Sequence, residues 1–325
     1  MLSIGSAAQP QNNIDILLTC RYLLTILYVS RPIGRHGMRL ASVRNRATIV
    51  AESEAGVVLG VDVARVSNGR FGPDLPELYD DWDEFRDWAE SVDAARGEPI
   101  DLAAFDNPAP RPRQVFAIGL NYLNHAAEAG LDAARDVVPP TFTKYPTSLA
   151  SPFAPLTLPS EKVDWEVELV VVIGRRAERV AATDAWSYVA GVAVGQDYSE
   201  RDVQMAGPVP QFSLAKSFPG FSPIGPWVVT PDELSDRDDL ELVCEINGEQ
   251  VQKGRTSAMV WPVADLIASL SGVCPLLPGD VIFTGTPAGV GMARSPQRFL
   301  SPGDVVVSRV EGIGEIQQEC VRARA

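Results

Sequence analysis

The feature that most constrains this chain is a pair of glutamates inside an apolar segment near its middle. The segment reads Val163-Asp164-Trp165-Glu166-Val167-Glu168-Leu169-Val170-Val171-Val172-Ile173-Gly174. Because side chains alternate along a β-strand, Glu166 and Glu168 are expected on one face, roughly 6–7 Å apart. Two carboxylates on a core-like strand repel each other and lose hydration, so a divalent cation is the simplest compensation. An edge strand with its acidic face in water is the alternative.

A third carboxylate follows the next apolar segment. This segment is Ala190-Gly191-Val192-Ala193-Val194-Gly195-Gln196-Asp197, which predicts a second strand that ends on an acid. Three carboxylates without a nearby cysteine favour Mg²⁺ or Mn²⁺ over zinc. Three protein ligands on an octahedral ion leave about three positions for water or substrate, which is typical of a catalytic site.

Composition limits the partners of the protein. The chain has 325 residues, 46% of them hydrophobic, so it can form one large domain or two. A net charge of −14 argues against nucleic acid and anionic membranes as partners, and an anionic substrate needs a local positive site. The four cysteines are scattered without CxxC spacing, which predicts reduced thiols in a cytoplasmic protein.

The N-terminal region is predicted to be an extension outside the fold, residues 1–37. Its apolar run at 14–29 is interrupted by Asp15 and Arg21, and it is too short and too charged for a membrane span. No positive charge precedes the run, as a signal peptide would require. Met38 is the more natural start, because strand-like sequence begins soon after it. An amphipathic membrane anchor is the alternative.

Two parts follow the extension: a small N-terminal domain at 38–109 and a larger domain at 110–325, joined by the proline-rich linker 107–113. We predict a hairpin at 46–66, a surface helix at 76–95, a helix at 262–270 and a tight turn at Asn247-Gly248. The larger domain is expected to contain strands at 115–119, 166–173, 188–196, 226–229, 239–246, 281–284 and 304–310. Strands dominate and no βαβ rhythm appears, so the expected fold class is α+β, a mostly β roll.

A second group of polar residues lies where a predicted strand runs into an alanine-rich helix at 119–130. His125 and Glu128 are i, i+3 neighbours there, so the carboxylate can orient an imidazole that deprotonates water. The chain has only two histidines, and His36 lies in the extension, so His125 is the only plausible histidine base. An ordinary surface helix with a stray His–Glu pair is the alternative.

Several motifs agree in order and content with one known family. They are Gly119-Leu120-Asn121-Tyr122 with His125 and Glu128; Asp164-Trp165-Glu166-Val167-Glu168-Leu169; Asp197 with Arg201 and Gln204; Lys216-Ser217-Phe218; Asn247-Gly248-Glu249; and Gly285-Thr286-Pro287-Ala288-Gly289-Val290-Gly291. On these motifs, which span about 110–321, the chain resembles the fumarylacetoacetate hydrolase family. The resemblance is to its smaller branch of acylpyruvases, fumarylpyruvate hydrolases, oxaloacetate decarboxylases and hydroxyheptadienedioate isomerases.

The resemblance implies a mixed β-roll and, usually, a homodimer. It implies that Glu166, Glu168 and Asp197 bind Mg²⁺ or Mn²⁺, and that His125 and Glu128 activate water from a segment that orders over the site. It also implies a cytoplasmic role in aromatic catabolism.

The remaining polar residues have expected roles toward an anionic substrate. Arg201 can offer a fork of donors to a carboxylate, and Lys216 is a point charge that can stabilise an enolate. Thr286 offers a hydroxyl donor in a glycine-rich turn, and Tyr122 and Gln204 complete the expected substrate-binding residues.

These roles predict a metal-dependent hydrolase that cleaves the C3–C4 bond of a 2,4-dioxo acid to pyruvate and a carboxylic acid. Decarboxylation or isomerisation of a related 2-oxo acid is the alternative, since both pass through the same enolate. A non-catalytic scaffold of the same fold is disfavoured, because the expected ligands, base and cations are all present.

Deleting residues 1–37 should leave folding and turnover unchanged, because the strand-like sequence begins after Met38. Far-ultraviolet circular dichroism and the rate with a 2-oxo acid substrate should match those of the full chain. An insoluble or inactive truncated protein would place this segment within the fold.

Overall fold

The computed structural model describes residues 37–124 and 138–323. Helices with both ends inside these ranges are α1 (Val63–Val66), α2 (Leu75–Asp80), α3 (Trp82–Ala89), α4 (Arg201–Met205), α5 (Phe212–Ala215) and α6 (Val263–Val273). The strands are β1 (Arg39–Val43), β2 (Arg46–Glu52), β3 (Val58–Asp62), β4 (Glu98–Pro99), β5 (Phe105–Asp106), β6 (Val115–Ile118), β7 (Thr141–Thr143), β8 (Leu149–Ala150), β9 (Leu156–Leu158), β10 (Val163–Asp164), β11 (Val167–Ile173), β12 (Val189–Gln196), β13 (Ser199–Glu200), β14 (Ser222–Val229), β15 (Glu241–Ile246), β16 (Glu249–Arg255), β17 (Val281–Phe283), β18 (Val305–Val310) and β19 (Gly314–Arg322). The mostly β architecture expected from the sequence is confirmed.

The main sheet is ordered β4-β3-β2-β1-β14-β12-β11-β17-β6-β7, with β5 paired to β1 and β8 paired to β14. A second sheet has the order β16-β15-β18-β19-β9, and β10 pairs with β13 in a short ladder. Most neighbouring strands are antiparallel; β17 and β6 run parallel, with Ile282 opposite Phe116.

Strand β11 lies in the middle of the main sheet and is buried along its whole length. It pairs with β12 on one side and β17 on the other, so the edge-strand alternative is wrong. Leu169 and Val171 join one hydrophobic cluster, whereas Val170 and Val172 join another, because alternate side chains point to opposite faces. Apolar side chains therefore cover both faces of this strand.

The N-terminal strands continue the main sheet. Leu40 in β1 lies opposite Val228 in β14, and β2 and β3 extend the sheet beyond β1. Segments on both sides of the predicted boundary at 109–110 thus share one sheet, and the division into two domains stays a prediction. The surface helix expected at 76–95 is two helices, α2 and α3, which are separated at Asp81, a residue with φ −112° and ψ 34°.

Tight turns join the strands of the second sheet. Asn247 and Gly248 have φ angles of 52° and 81° between β15 and β16, which confirms the expected hairpin. The two Pro-Gly-Asp sequences form the same turn, since Gly279 and Gly303 have φ angles of 81° and 93°. Each turn leads directly into a strand that begins with valine, β17 or β18.

None of the helices in the ranges 37–124 and 138–323 has the length and apolar character needed to cross a membrane. Cys244, Cys274 and Cys320, the cysteines that fall within these ranges, are free thiols.

Leu169→Ala should lower the free energy of unfolding by about 2–5 kcal/mol, because it leaves a cavity in the middle of the main sheet. Urea denaturation monitored by tryptophan fluorescence measures the change. Leu102→Ala is the matched control, since Leu102 is 44% exposed and its loss should cost less than about 0.5 kcal/mol. Equal effects of the two substitutions would contradict the central position of β11.

Candidate metal centre and its cavity

Three carboxylates meet at one end of β11 and β12. Glu166 directly precedes β11, Glu168 is its second residue, and Asp197 directly follows β12. The antiparallel pairing of Val167 with Gln196 brings the two strand ends together. One oxygen from each carboxylate lies within 4.8 Å of the other two, and all three residues are buried. The structure therefore brings together the three residues that the sequence assigned to a metal.

Hydrogen bonds to the backbone fix this arrangement. The N–H of Asp197 donates to the carbonyl oxygen of Glu166 at 2.9 Å, which joins the two strand ends. The side chain of Gln196 accepts a hydrogen bond of 2.7 Å from the N–H of Glu166. The N–H of Gly285 donates to Oε2 of Glu168, also at 2.7 Å. The positions of Glu166 and Asp197 are thus set by the sheet, and the position of the Glu168 carboxylate is set by the glycine-rich turn.

Two buried lysines contact the carboxylates. The Nζ atom of Lys216 donates to Oε2 of Glu166 and to Oδ2 of Asp197, both at 2.7 Å. The Nζ atom of Lys144 donates to the other oxygen of Asp197 and to the backbone carbonyl of Lys216. Lys144 thereby positions both Asp197 and the segment that carries Lys216.

The guanidinium of Arg201 is directed mainly at the protein's own carboxylates. Its Nε donates to Asp164 at 2.9 Å and its Nη2 donates to Glu166 at 2.8 Å, while Nη1 donates to Gln204 at 2.7 Å. The fork that the sequence predicted for a substrate carboxylate is therefore used within the protein. A guanidinium has five N–H groups, so one N–H on Nη1 has no partner among the residues that the structure describes and is available to a substrate.

Asp164 connects Arg201 to the loop after the glycine-rich turn. Its carboxylate accepts hydrogen bonds from the N–H groups of Gly291 and Met292, at 2.7 and 2.9 Å. Sequence reasoning missed Asp164 and Lys144 as site residues. Asp164 begins the motif Asp164-Trp165-Glu166-Val167-Glu168-Leu169, so its position two residues before Glu166 could have indicated a role in the site. No feature of the sequence around Lys144 indicates such a role.

Thr286 and Gln204, two of the expected substrate-binding residues, line the cavity and also hydrogen-bond to other parts of the protein. Thr286 donates to the carbonyl of Val167 at 2.9 Å and accepts from Gln252 at 2.8 Å, so it also braces β11. Gln204 holds Arg201, and both residues line the cavity. His125 and Glu128 lie outside the described residues, and their roles stay predictions.

The charges of the site leave room for a cation. Four buried carboxylates (Asp164, Glu166, Glu168 and Asp197) contact or neighbour three buried basic groups (Lys144, Arg201 and Lys216), so the carboxylates outnumber the basic groups by one. Burial raises the pKa of Glu168 well above its usual range, and Asp197 and Glu166 raise this pKa further. Burial lowers the pKa of Lys216, but Asp197 and Glu166 outweigh this effect, so its amine stays protonated.

A buried hydroxyl near the carboxylates supports the same conclusion. Tyr122 is fully buried, and its hydroxyl has no hydrogen-bond partner among the residues that the structure describes. Burial raises the pKa of Tyr122, and the charge of Glu168 raises it further. The three clustered carboxylates are oxygen ligands of the kind that a hard divalent ion prefers.

A cavity of about 470 Å³ opens onto these groups, a volume typical of small-molecule sites. Glu166, Asp197, Arg201 and Lys216 line one part of it. The other lining residues are Ile118, Gly119, Leu120, Phe142, Gln204, Met205, Pro210, Phe212, Thr286, Val290, Met292, Ala293 and Gln297. A small anionic molecule can therefore reach the carboxylate cluster from the cavity.

The sequence model of one family, described as fumarylacetoacetate (FAA) hydrolase C-terminal, matches residues 114–321. The chain belongs to this family. The family resemblance found in the sequence is thus confirmed, and the match covers the strands that carry the carboxylates, the two lysines and the glycine-rich turn.

Relatives and solved structures support the assignment over most of the chain. Oxaloacetate tautomerase Fahd2a, a mitochondrial protein of Rattus norvegicus, is 37% identical over 310 residues, which cover 93% of this chain and 98% of the relative. A crystal structure of a protein from Mycobacterium smegmatis is 52% identical with a TM-score of 0.81, covering 88% of this chain and 100% of that one. Maleylpyruvate hydrolase from Sphingobium sp. SYK-6, solved with manganese (II) and pyruvate, is 27% identical with a TM-score of 0.70 over the same shares. These structures confirm the expected fold.

Glu168→Gln should weaken Mn²⁺ binding, because a neutral amide is a poorer ligand for a hard cation than a carboxylate. We expect the dissociation constant to rise at least 10–100-fold, roughly the cost of losing even an outer partner of a metal ligand. Titration of the metal-stripped protein, followed by electron paramagnetic resonance of free Mn²⁺, measures it.

Glu161→Gln is the matched control. This substitution is also from glutamate to glutamine, but Glu161 is exposed and is not one of the three clustered carboxylates. Unchanged Mn²⁺ affinity in Glu168→Gln would remove this residue from the ligand set.

Proposed function

We propose that this protein is a divalent-metal-dependent enzyme that converts a small 2-oxo acid through its enolate, and that the reaction is keto–enol tautomerisation. The observation that carries the proposal is the buried triad of Glu166, Glu168 and Asp197 with the Lys216 ammonium 2.7 Å from two of its members. A divalent ion bound there would supply Lewis-acid polarisation of the carboxylate and 2-oxo oxygens of the substrate.

Charge explains why an anionic substrate would enter such an acidic pocket. With every group ionised the cluster would carry one net negative charge, and a bound divalent ion would change this to one positive charge. The protein as a whole carries −14, so attraction of a 2-oxo acid depends on this local reversal. Substrate binding should therefore follow ion binding and not precede it.

Lys216 is suited to the charge that develops during the reaction. Its ammonium is held by two carboxylates and faces the cavity, and an ammonium has three N–H donors, so one remains for a substrate oxygen. An enolate oxygen carries more negative charge than the 2-oxo oxygen from which it forms, and a fixed cation beside it stabilises the enolate more than the substrate.

The proton balance of tautomerisation is simple. A proton leaves C3 of the keto acid, and the electron pair of that C–H bond forms the C2–C3 double bond. The π pair of the 2-oxo carbonyl moves to its oxygen, which takes up a proton. Lys216 is protonated and lies beside this oxygen in the proposed pose, so it can donate that proton. His125, the base predicted from the sequence, would accept the proton from C3.

The relatives support an enolate-forming reaction. The rat protein that matches nearly full length is named as an oxaloacetate tautomerase, and the more distant maleylpyruvate hydrolase binds manganese and pyruvate. Both names describe chemistry on 2-oxo acids, which is why we assign that substrate class to this chain.

Hydrolysis of a 2,4-dioxo acid is the second candidate. It uses the same enolate as leaving group, but it also needs a water molecule that a base activates, the role predicted for His125 with Glu128. The sequence favours this reaction through the His–Glu pair, and the maleylpyruvate hydrolase is a related hydrolase. Oxaloacetate decarboxylation and isomerisation of hydroxyheptadienedioate-type acids use the same enolate and are further outcomes of the same assays.

Two other properties are proposed from the family. A homodimer is the expected assembly, and a cytoplasmic place in aromatic catabolism is the expected setting, although the rat relative is named as mitochondrial. Sedimentation velocity of the purified protein tests the first property, and fractionation of cells that express it tests the second.

The tautomerase proposal is tested with freshly dissolved enol-oxaloacetate, whose ultraviolet absorbance falls as the keto form appears. The protein should accelerate this decay with Mg²⁺ or Mn²⁺ present, and EDTA should abolish the acceleration. Lys216→Met should lower the rate by about 10²–10³, the usual effect of removing one preorganised group that stabilises an oxyanion. Full activity of the metal-stripped protein would contradict the proposal.

His125→Ala tests the base that both candidate reactions would use, whereas pyruvate release by the unsubstituted protein separates the two reactions. It leaves Glu166, Glu168 and Asp197 in place, so Mn²⁺ and oxalate should still bind. If the protein hydrolyses acylpyruvates, pyruvate release should fall roughly 10²–10⁴-fold in this variant, the usual contribution of a positioned general base. Enol decay without pyruvate release in the unsubstituted protein would establish tautomerisation, and normal pyruvate release from His125→Ala would contradict the assigned base.

A further inference from the structure

The two parts of the cavity differ in chemistry. All four charged residues in its lining (Glu166, Asp197, Arg201 and Lys216) belong to the carboxylate cluster or contact it. The rest of the lining is mostly apolar. Its apolar members are Ile118, Leu120, Phe142, Met205, Pro210, Phe212, Val290, Met292 and Ala293, and we call this set the apolar wall.

The apolar wall begins immediately beside the charged groups. The Nζ atom of Lys216 lies 5.5 Å from the centroid of the Phe142 ring. This ring is in turn packed against Phe212, with the two centroids 5.5 Å apart and the planes inclined by 32°. A molecule that places its 2-oxo acid group at Lys216 therefore extends its next carbon atoms along two aromatic rings.

A second carboxylate on the substrate would find little compensation there. Arg201 and Lys216 are the cations among the described residues of the lining, and both are held at the carboxylate cluster by Glu166, so the apolar wall itself carries no cation. The polar groups elsewhere in the lining are amides and a hydroxyl, of Gln204, Gln297 and Thr286. Burying a carboxylate without a cation is costly, whereas an alkyl group gains from the same surroundings.

From this lining we infer that the protein prefers a 2-oxo acid whose distal group is an apolar alkyl chain over a 2-oxo dicarboxylate such as oxaloacetate. This inference rests on the proposed function, because it assumes that the oxo acid end lies at the carboxylate cluster. It distinguishes the chain from its rat relative, whose named substrate, oxaloacetate, carries a second carboxylate.

Binding can test the inference without turnover. Isothermal titration of the Mn²⁺-loaded protein would compare 2-oxobutanoate, 2-oxohexanoate and 2-oxooctanoate with the dicarboxylate 2-oxoglutarate. Affinity should rise about fourfold for each methylene group that the wall buries, the fold-change equivalent to moving one methylene out of water. 2-Oxoglutarate should bind more weakly than 2-oxohexanoate.

Two variants locate the effect on the apolar wall. Phe212→Ala should weaken 2-oxohexanoate binding roughly tenfold and leave 2-oxobutanoate nearly unchanged, because only the longer chain reaches this ring. Phe153→Ala is the matched control, since Phe153 is a partly buried phenylalanine outside the cavity lining.

Met205→Lys places a cation on the wall at a residue that is 55% exposed, so the fold should tolerate it. The ratio of the affinity for 2-oxoglutarate to the affinity for 2-oxohexanoate should rise about two- to fivefold, which is the effect of a solvent-exposed ion pair.

The outcomes separate the two levels of the proposal. If 2-oxoglutarate binds the unsubstituted protein as tightly as 2-oxohexanoate, or if chain length has no effect, the apolar-substrate inference is overturned and the proposed function stands. If none of the four acids binds the Mn²⁺-loaded protein, the proposed function fails together with the inference. A chain-length effect that Phe212→Ala reduces and Phe153→Ala preserves supports both.

Discussion

The site depends on one buried ionic arrangement, the Lys216 ammonium between Glu166 and Asp197. All three groups are almost completely removed from water, so each one is tolerated only because its partners are present. Loss of one partner would leave an uncompensated buried charge, at a cost of roughly 3–5 kcal/mol. The carboxylates sit at the ends of β11 and β12, in the middle of the main sheet, where backbone hydrogen bonds prevent them from moving apart. The hydrophobic core thus supplies the rigidity that the charged cluster needs.

The ionic arrangement also links the other polar residues into one network. Lys144 connects Asp197 to the backbone of Lys216, and Arg201 connects Glu166 to Asp164. Asp164 in turn holds the N–H groups of the loop at Met292, which lines the cavity. A change at any of these residues would reach the three clustered carboxylates and the cavity together. The network thus joins three basic side chains to carboxylates that outnumber them by one.

Local spacing predicted the parts of the site that depend on local geometry. Two glutamates two residues apart in an apolar run, and an aspartate at the end of the next run, are enough to predict that three carboxylates meet. The strand itself was predicted to within one residue. Sequence could not predict Lys144, because its partner Asp197 is 53 residues away and only the folded sheet brings them together. The direction of the Arg201 fork depends on Asp164 in the same way, since β10 and β13 must pair first.

The charged and apolar parts of the cavity are carried by different kinds of element. The carboxylates lie on the long, fully buried strands of the main sheet, whereas the apolar wall is carried largely by short elements near the surface, including β7, α4, α5 and the loop at 290–293. Substitutions on short exposed elements cost little stability, so the wall can change while the sheet preserves the carboxylates. A family that contains a tautomerase and a hydrolase is expected from such a division, because enolate stabilisation is common to both reactions. Met205 and Phe212 belong to this wall and are absent from the hydrophobic core clusters, so a change at either residue would alter the cavity and spare the core.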